Sequence, residues 1–274
     1  MRILIPTDFS ELSRVAIRYV VDFSMDVEVK LILLHVIDTN VPSKTRLGSS
    51  KLQEAIQASS ERSMKELIAS IKKDNGHNIE INYEITSGSS IEKYVEMFAV
   101  KNNIDMICIG TKGASGLKKI LFGSNAASII QNSSIPVLTI PEFARYKGIN
   151  NIVYSSDLYN LEKEMDLIVP FARLMDSRVE ILHIDKDNER FEGNLQQKEE
   201  ALKNDLSYPK IKFSELKSDS VIQGINKFVA DVDADMVIMF THHTNFLEKV
   251  FQKSVTQNTA FQTRIPLFTF QKES

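Results

Sequence analysis

One order of apolar runs occurs twice in this chain, and that repeat limits the fold more than any other feature. Asn151-Ile152-Val153-Tyr154-Ser155-Ser156-Asp157 echoes Arg2 to Asp8. Val179 to Asp185 echoes Leu31 to Ile37, with His183 on His35. Ile211 and Phe213 fall on Ile81 and Tyr83, and Ser220-Val221 on Ser90-Ile91. Asp235 to Met239 echoes Asp105 to Ile109, and Ile265 to Phe270 echoes Ile135 to Ile140. The offset is 149 residues at Asp157, 148 at His183 and 130 from Ile211 onward. The second copy therefore lacks 18 residues between its second and third strands. A chain of 274 residues suits two domains of about 100–200 residues each. The expected division is 1–146 and 147–274.

Within the first copy, short apolar runs alternate with amphipathic ones. Ile3-Leu4-Ile5 and Leu31 to Ile37 read as buried strands. Between them Ala16, Ile17, Val20 and Val21 share a helix face, with Asp8 or Ser10 as its cap and Glu11 placed for a capping box. Thr39 to Ser50 is the longest loop, and Leu52 to Ile71 an amphipathic helix. Ile79, Ile81, Tyr83 and Ile85 alternate with polar residues, as in a half-exposed strand near a sheet edge. A helix through Ile91, Val95, Phe98 and Ala99 follows. Strands alternating with helices argue for an α/β fold, a parallel sheet covered on both faces.

The stretch with the most chemistry runs from Met106 to Ile140. Met106-Ile107-Cys108-Ile109 ends at Gly110, as a buried parallel strand ends. Thr111-Lys112-Gly113 follows, then nine residues, then Gly123-Ser124-Asn125 opening a helix. Gly113 lets backbone approach a ligand without a Cβ in the way. The first N–H groups of the helix at Ser124 favour an anion. The spacing Gly-x2-Gly-x9-Gly-Ser, with strand before and strand after, reads as a phosphate cradle made of two loops.

These residues bring out a family. The chain resembles a tandem universal stress protein over nearly all its length. Carrying the resemblance are Ile3-Leu4-Ile5-Pro6-Thr7-Asp8-Phe9-Ser10, Leu33-Leu34-His35-Val36-Ile37-Asp38, Gly110-Thr111-Lys112-Gly113…Gly123-Ser124 and Ile135-Pro136-Val137-Leu138. The cradle spacing marks the ATP-binding branch. The resemblance implies two Rossmann-like domains of the adenine nucleotide alpha hydrolase-like type. Each would have a five-stranded parallel sheet in order 3-2-1-4-5. It also implies ATP or AMP, with or without Mg, at the carboxyl ends of strands 1 and 4, where open α/β sheets bind ligands. Asp8 would sit by adenine or ribose, with Pro6 and Thr7 on the same wall and Val36 against adenine. Ile109 and Gly110 would pass under the ribose and first phosphate. Gly113, Gly123, Ser124 and Asn125 would hold the phosphate chain, and Lys118 and Lys119 could add charge. The family often has proline where this chain has Ser90. The second copy departs further: Phe240, His243 and Lys253 replace Gly110, Gly113 and Gly123, while Asp157 and Ser254 remain. No nucleotide is expected there in the usual pose. The resemblance implies a scaffold half that pairs with its twin, and a homodimer of the chain is a family expectation.

Competing readings limit this. Asp8 could serve only its helix, and the glycines only a turn. His35 and His183 end buried strands and read as sheet-end histidines. His242-His243 are adjacent and do not converge on one metal ion. Cys108, the one cysteine, lies within an apolar strand and reads as an inert thiol, and no intrachain disulfide is available. A net charge of −3 gives no basic footprint for nucleic acid or anionic membrane. No apolar run reaches 18 residues and no signal-peptide core opens the chain, so the expected location is the cytoplasm. The leading expectation is a regulatory or stress-protective nucleotide-binding protein. The alternatives are a slow ATPase, for which no general base stands near the γ-phosphate, and a ligand-free dimeric interaction protein.

Overall fold

The computed structural model describes residues 1–39, 49–74, 79–111, 124–185, 195–240 and 265–271. They form two compact units, one holding Met1–Thr111 and the segment ending at Glu142, the other running on from Phe143. The first contains β1 (Arg2–Pro6), α1 (Glu11–Phe23), β2 (Lys30–Asp38), α2 (Ser49–Asp74), β3 (Glu80–Gly88), α3 (Ile91–Lys101), β4 (Met106–Thr111), α4 (Ser124–Asn132) and β5 (Val137–Pro141). The second contains β6 (Asn151–Ser155), α5 (Leu161–Leu174), β7 (Arg178–Asp185), α6 (Leu195–Asp205), β8 (Ile211–Lys217), α7 (Val221–Asp231), β9 (Met236–Phe240) and β10 (Leu267–Phe270).

Strands in the first unit lie in the order β3-β2-β1-β4-β5, all pairings parallel. The second unit repeats it as β8-β7-β6-β9-β10. Each is the 3-2-1-4-5 order. The sequence explains which strands take the middle. Ile3, Leu4 and Ile5 are fully buried, as are Ile107 and Cys108, because both sides of these strands are apolar. On β3 most side chains are exposed, Tyr83 among them, and Ile81, Ile85 and Thr86 are half-buried, as suits an outer strand. In α1, Val15, Ala16, Tyr19, Val20 and Phe23 recur at helical spacing and are buried together.

The repeat extends to small devices. Asp105 Oδ2 accepts the backbone N–H of Arg2 at 2.6 Å, tying the turn before β4 to the start of β1. Asp235 Oδ2 does the same before β9, accepting Asn150 N–H at 2.7 Å and Asn151 N–H at 2.9 Å. Asn103 and Asp233, two residues earlier in each copy, share a left-handed φ of 48°. The 18 missing residues fall on the crossover between the second and third strands. There α2 has 26 residues and α6 has 11. The helix expected over Leu52–Ile71 is longer at both ends. Its Met64, Leu67 and Ile71 are buried, whereas Leu52 and Ile56 are exposed.

Candidate functional site

Order reverses between β1 and β4, and there the strands part. Their register covers Ile3↔Met106 and Leu4↔Ile107, while β1 runs on to Pro6 and β4 to Thr111. The fold thus brings Pro6, Thr7, Asp8, Ile109 and Gly110 to one end of the sheet. Val36, near the end of β2, is buried beside them in sequence register with Thr86 on β3. Ser124 and Asn125 open α4, with Asn125 exposed. Gly113 and Gly123, with Lys118 and Lys119, lie outside the described residues.

The loop leaving β1 is held by its own polar groups. Thr7 N–H donates to Leu34 O at 2.8 Å, continuing the ladder one residue past β1. Thr7 Oγ1 accepts Phe9 N–H at 3.1 Å and donates to Ser13 Oγ at 3.0 Å. Phe9 takes a φ of 64°, in the left-handed region, which turns the chain into α1. Its ring rests on His35, centroids 4.5 Å apart. His35 Nδ1 lies 2.8 Å from Thr7 O; a carbonyl only accepts, so Nδ1 carries the proton. This histidine ties two strand ends together.

Asp8 is not the helix cap. Ser10 is, accepting Ser13 N–H at 3.4 Å, while Asp8 Oδ1 accepts Ser10 N–H at 3.0 Å one step earlier. The reciprocal capping box is also replaced: Glu11 turns outward toward Arg14 at 3.8 Å. Burial alone would raise the Asp8 carboxyl, but hydrogen bonds from Ser10, its own N–H and Ser13 outweigh it and hold the pKa below its ordinary value. Asp8 is thus an exposed, charged carboxylate at the mouth of the crevice.

Gly110 answers to the fold before any ligand. A Cβ there would lie 2.0 Å from Leu12 O and 2.6 Å from Leu12 C. The first turn of α1 therefore rests directly on β4. Two residues earlier, Cys108 is wholly buried and burial pushes its thiol up, so it stays protonated.

The second unit keeps the turn and loses the glycine. Ser156 N–H donates to Leu182 O at 3.0 Å. Leu158 has a φ of 68° and donates to Ser156 Oγ at 3.0 Å. Asp157 Oδ1 accepts Tyr159 N–H at 3.0 Å, and His183 Nδ1 lies 3.2 Å from Ser156 O. Phe240 stands where Gly110 stands in the first unit and is stacked on Phe270, centroids 5.3 Å apart. A cavity of about 240 Å³ opens at this end of the second sheet. Two of its wall residues, Tyr154 and Glu164, did not emerge from the sequence. The offset of 149 offers a signal: it puts Glu164 on Val15, a carboxylate in a core position of the helix period.

Among the described residues no three His, Cys, Asp or Glu side chains gather as a metal site. The His242-His243 pair lies outside them. Among the described residues no helix is long and apolar enough to cross a membrane.

A parallel sheet of order 3-2-1-4-5, with loops converging where the order reverses, defines a doubly wound α/β protein, here built twice. The model of the universal stress protein family matches residues 1–141, more than half of the chain, and the chain belongs to that family. It is 30% identical over 140 residues to universal stress protein MJ0531 of Methanocaldococcus jannaschii, covering 51% of this chain and 81% of that one. To MJ0577 of the same organism it is 31% identical over 153 residues, covering 51% and 93%. A crystal structure of a universal stress protein from Archaeoglobus fulgidus shares the fold over 99% of this chain and 98% of its own, with a TM-score of 0.74 at 17% identity. PA1789 of Pseudomonas aeruginosa, described as functionally unknown, shares it over 98% and 92%, with a TM-score of 0.59 at 13% identity.

Proposed function

We propose that the first unit binds an adenine nucleotide, ATP or AMP, and that the chain works as a nucleotide-responsive regulatory or stress-protective protein of the cytoplasm. The observation that carries this reading is the Gly110-Thr111-Lys112-Gly113…Gly123-Ser124 spacing beginning at the carboxyl end of β4. That is the switch point of the sheet, where open α/β folds take ligands. The residues fit such a ligand. Val36 offers an apolar contact, Asp8 an acceptor for ribose hydroxyls or adenine N–H, and the start of α4 a positive helix end for phosphate. Magnesium, where present, would sit on the phosphates. Asp8 stands at the β1 end of the crevice and is not placed as a base for the γ-phosphate, so ATP turnover would be slow. The second unit serves as a structural twin. Exposed Leu52 and Ile56 on α2 give a homodimer apolar surface to bury.

A ligand-free interaction protein is favoured by one observation. Asp8 and Asp157 make the same turn, although only the first copy keeps the glycines. The carboxylate thus has a structural use without nucleotide. Mass spectrometry of small molecules released on denaturing the purified protein separates the two readings. The nucleotide reading expects about one adenine nucleotide per chain, a ratio that Gly113→Val or Gly123→Val abolishes while cooperative unfolding persists. No nucleotide, and no uptake of added Mg-ATP, supports the interaction protein.

A further inference from the structure

We propose that the cavity at the carboxyl ends of β6, β7 and β9 is a second ligand site, built for a small amine with an apolar body. At about 240 Å³ it is smaller than the roughly 300–1,000 Å³ clefts that take drug-sized molecules, which suits a compound of one ring. Its apolar wall is Phe240, Met239, Ile184 and Val221. Its acidic side chains are Asp157 and Glu164, with His183 beside them, and the described lining residues include no lysine or arginine. That field repels phosphate and attracts an ammonium group.

The comparison with the first unit shows that the fold does not need these groups. Tyr154 and Glu164 occupy the places of Ile5 and Val15, both buried and apolar. In the second unit Tyr154 O–H donates to Glu164 Oε2, and Glu164 is only 3% exposed. Burial, then the bond to Glu164, keeps the Tyr154 phenol protonated as that donor. Placing a carboxylate where an aliphatic side chain would pack costs stability. The cavity has a cause as well. Gly110 lets α1 rest on β4, with a Cβ excluded by Leu12 O at 2.0 Å. In the second unit the matching position carries the ring of Phe240, stacked on Phe270. There α5 makes no comparable set of contacts with β9 among the described residues. The space left over is lined by Glu164 from the helix and by Tyr154 and Phe240 from the strands, whose rings meet edge to face at 5.9 Å.

Equilibrium dialysis of the full chain with labelled tyramine, in saturating Mg-ATP at pH 7, tests this. The expected result is about one tyramine per chain with Kd below about 1 mM, and 4-hydroxyphenylacetate at least about tenfold weaker as a competitor. Glu164→Gln keeps an acceptor for Tyr154 and should weaken tyramine by about tenfold or more through loss of the charge-assisted bond. Val221→Phe, which fills the cavity from α7, should abolish binding and serves if Glu164→Gln does not fold. The proposal is overturned if wild type takes up no tyramine at 1 mM, if acid and amine compete equally, or if a folded variant binds as wild type does.

Discussion

At Gly110 a Cβ would meet Leu12 O at 2.0 Å, a backbone atom in the first turn of α1 that cannot step aside cheaply. Gly110→Ala should therefore lower stability by about 1–3 kcal/mol through forced displacement of the helix. Urea unfolding monitored by circular dichroism would read this as a lower midpoint. An unchanged midpoint would mean α1 has room to move. This effect belongs to packing and is separate from the nucleotide test at Gly113. Asp8 makes a different prediction. Its folded pKa is depressed, so its contribution is present above the unfolded value of about 3.9 and is lost as pH falls through the folded value. Asp8→Asn keeps an oxygen for Ser10 N–H and removes the titration. The wild type should lose stability relative to Asp8→Asn as pH falls below about 4. Parallel stability–pH curves would refute the charge-assisted turn.

Between elements, the aspartates preceding β4 and β9 do similar work with unequal yield. Asp235 accepts two backbone N–H groups and Asp105 accepts that of Arg2. Asp235→Ala leaves two donors at the start of β6 to find other partners and should cost about 1–3 kcal/mol. Asp105→Ala should cost less, and equal losses in paired urea titrations would argue against this account. In the core, Ile107 on β4 has no exposed surface, so Ile107→Ala should cost about 2–5 kcal/mol. A loss under 1 kcal/mol would mean the site collapses around the missing atoms. The crossovers differ for a simpler reason. On this crossover α6 has 11 residues where α2 has 26.

For the whole molecule, the nucleotide reading makes the two copies respond differently. With Mg-ATP at a hundredfold excess over Kd, binding adds about 2.7 kcal/mol to the state that holds it. Hydrogen exchange should then slow in residues 6–10 and around Gly110 and Ser124. The matching stretches at 155–159 and Met239–Phe240 should not change. Equal protection in both copies would place nucleotide in the second unit too.

The sequence by itself determined the α/β class, the repeat, the interior strands and the position of the glycine spacing. These rest on local chemistry: apolar runs of strand length, helical periodicity, and Gly, Ser and Asp at turns. The family resemblance supplied the strand order, which the structure bears out in each unit. Tertiary structure decided what one side chain does to an element distant in sequence. That Gly110 seats α1, that Ser10 and not Asp8 caps it, and that His35 and His183 bind strand ends depend on contacts the chain spacing does not encode. Glu164 shows the limit most plainly. The offset places it at a core position of the helix period, and only the fold brings it to Tyr154, whose O–H donates to Glu164 Oε2. At position 240 the second unit carries a phenylalanine where the first has the glycine on which α1 rests, a difference that acts only once helix and strand meet.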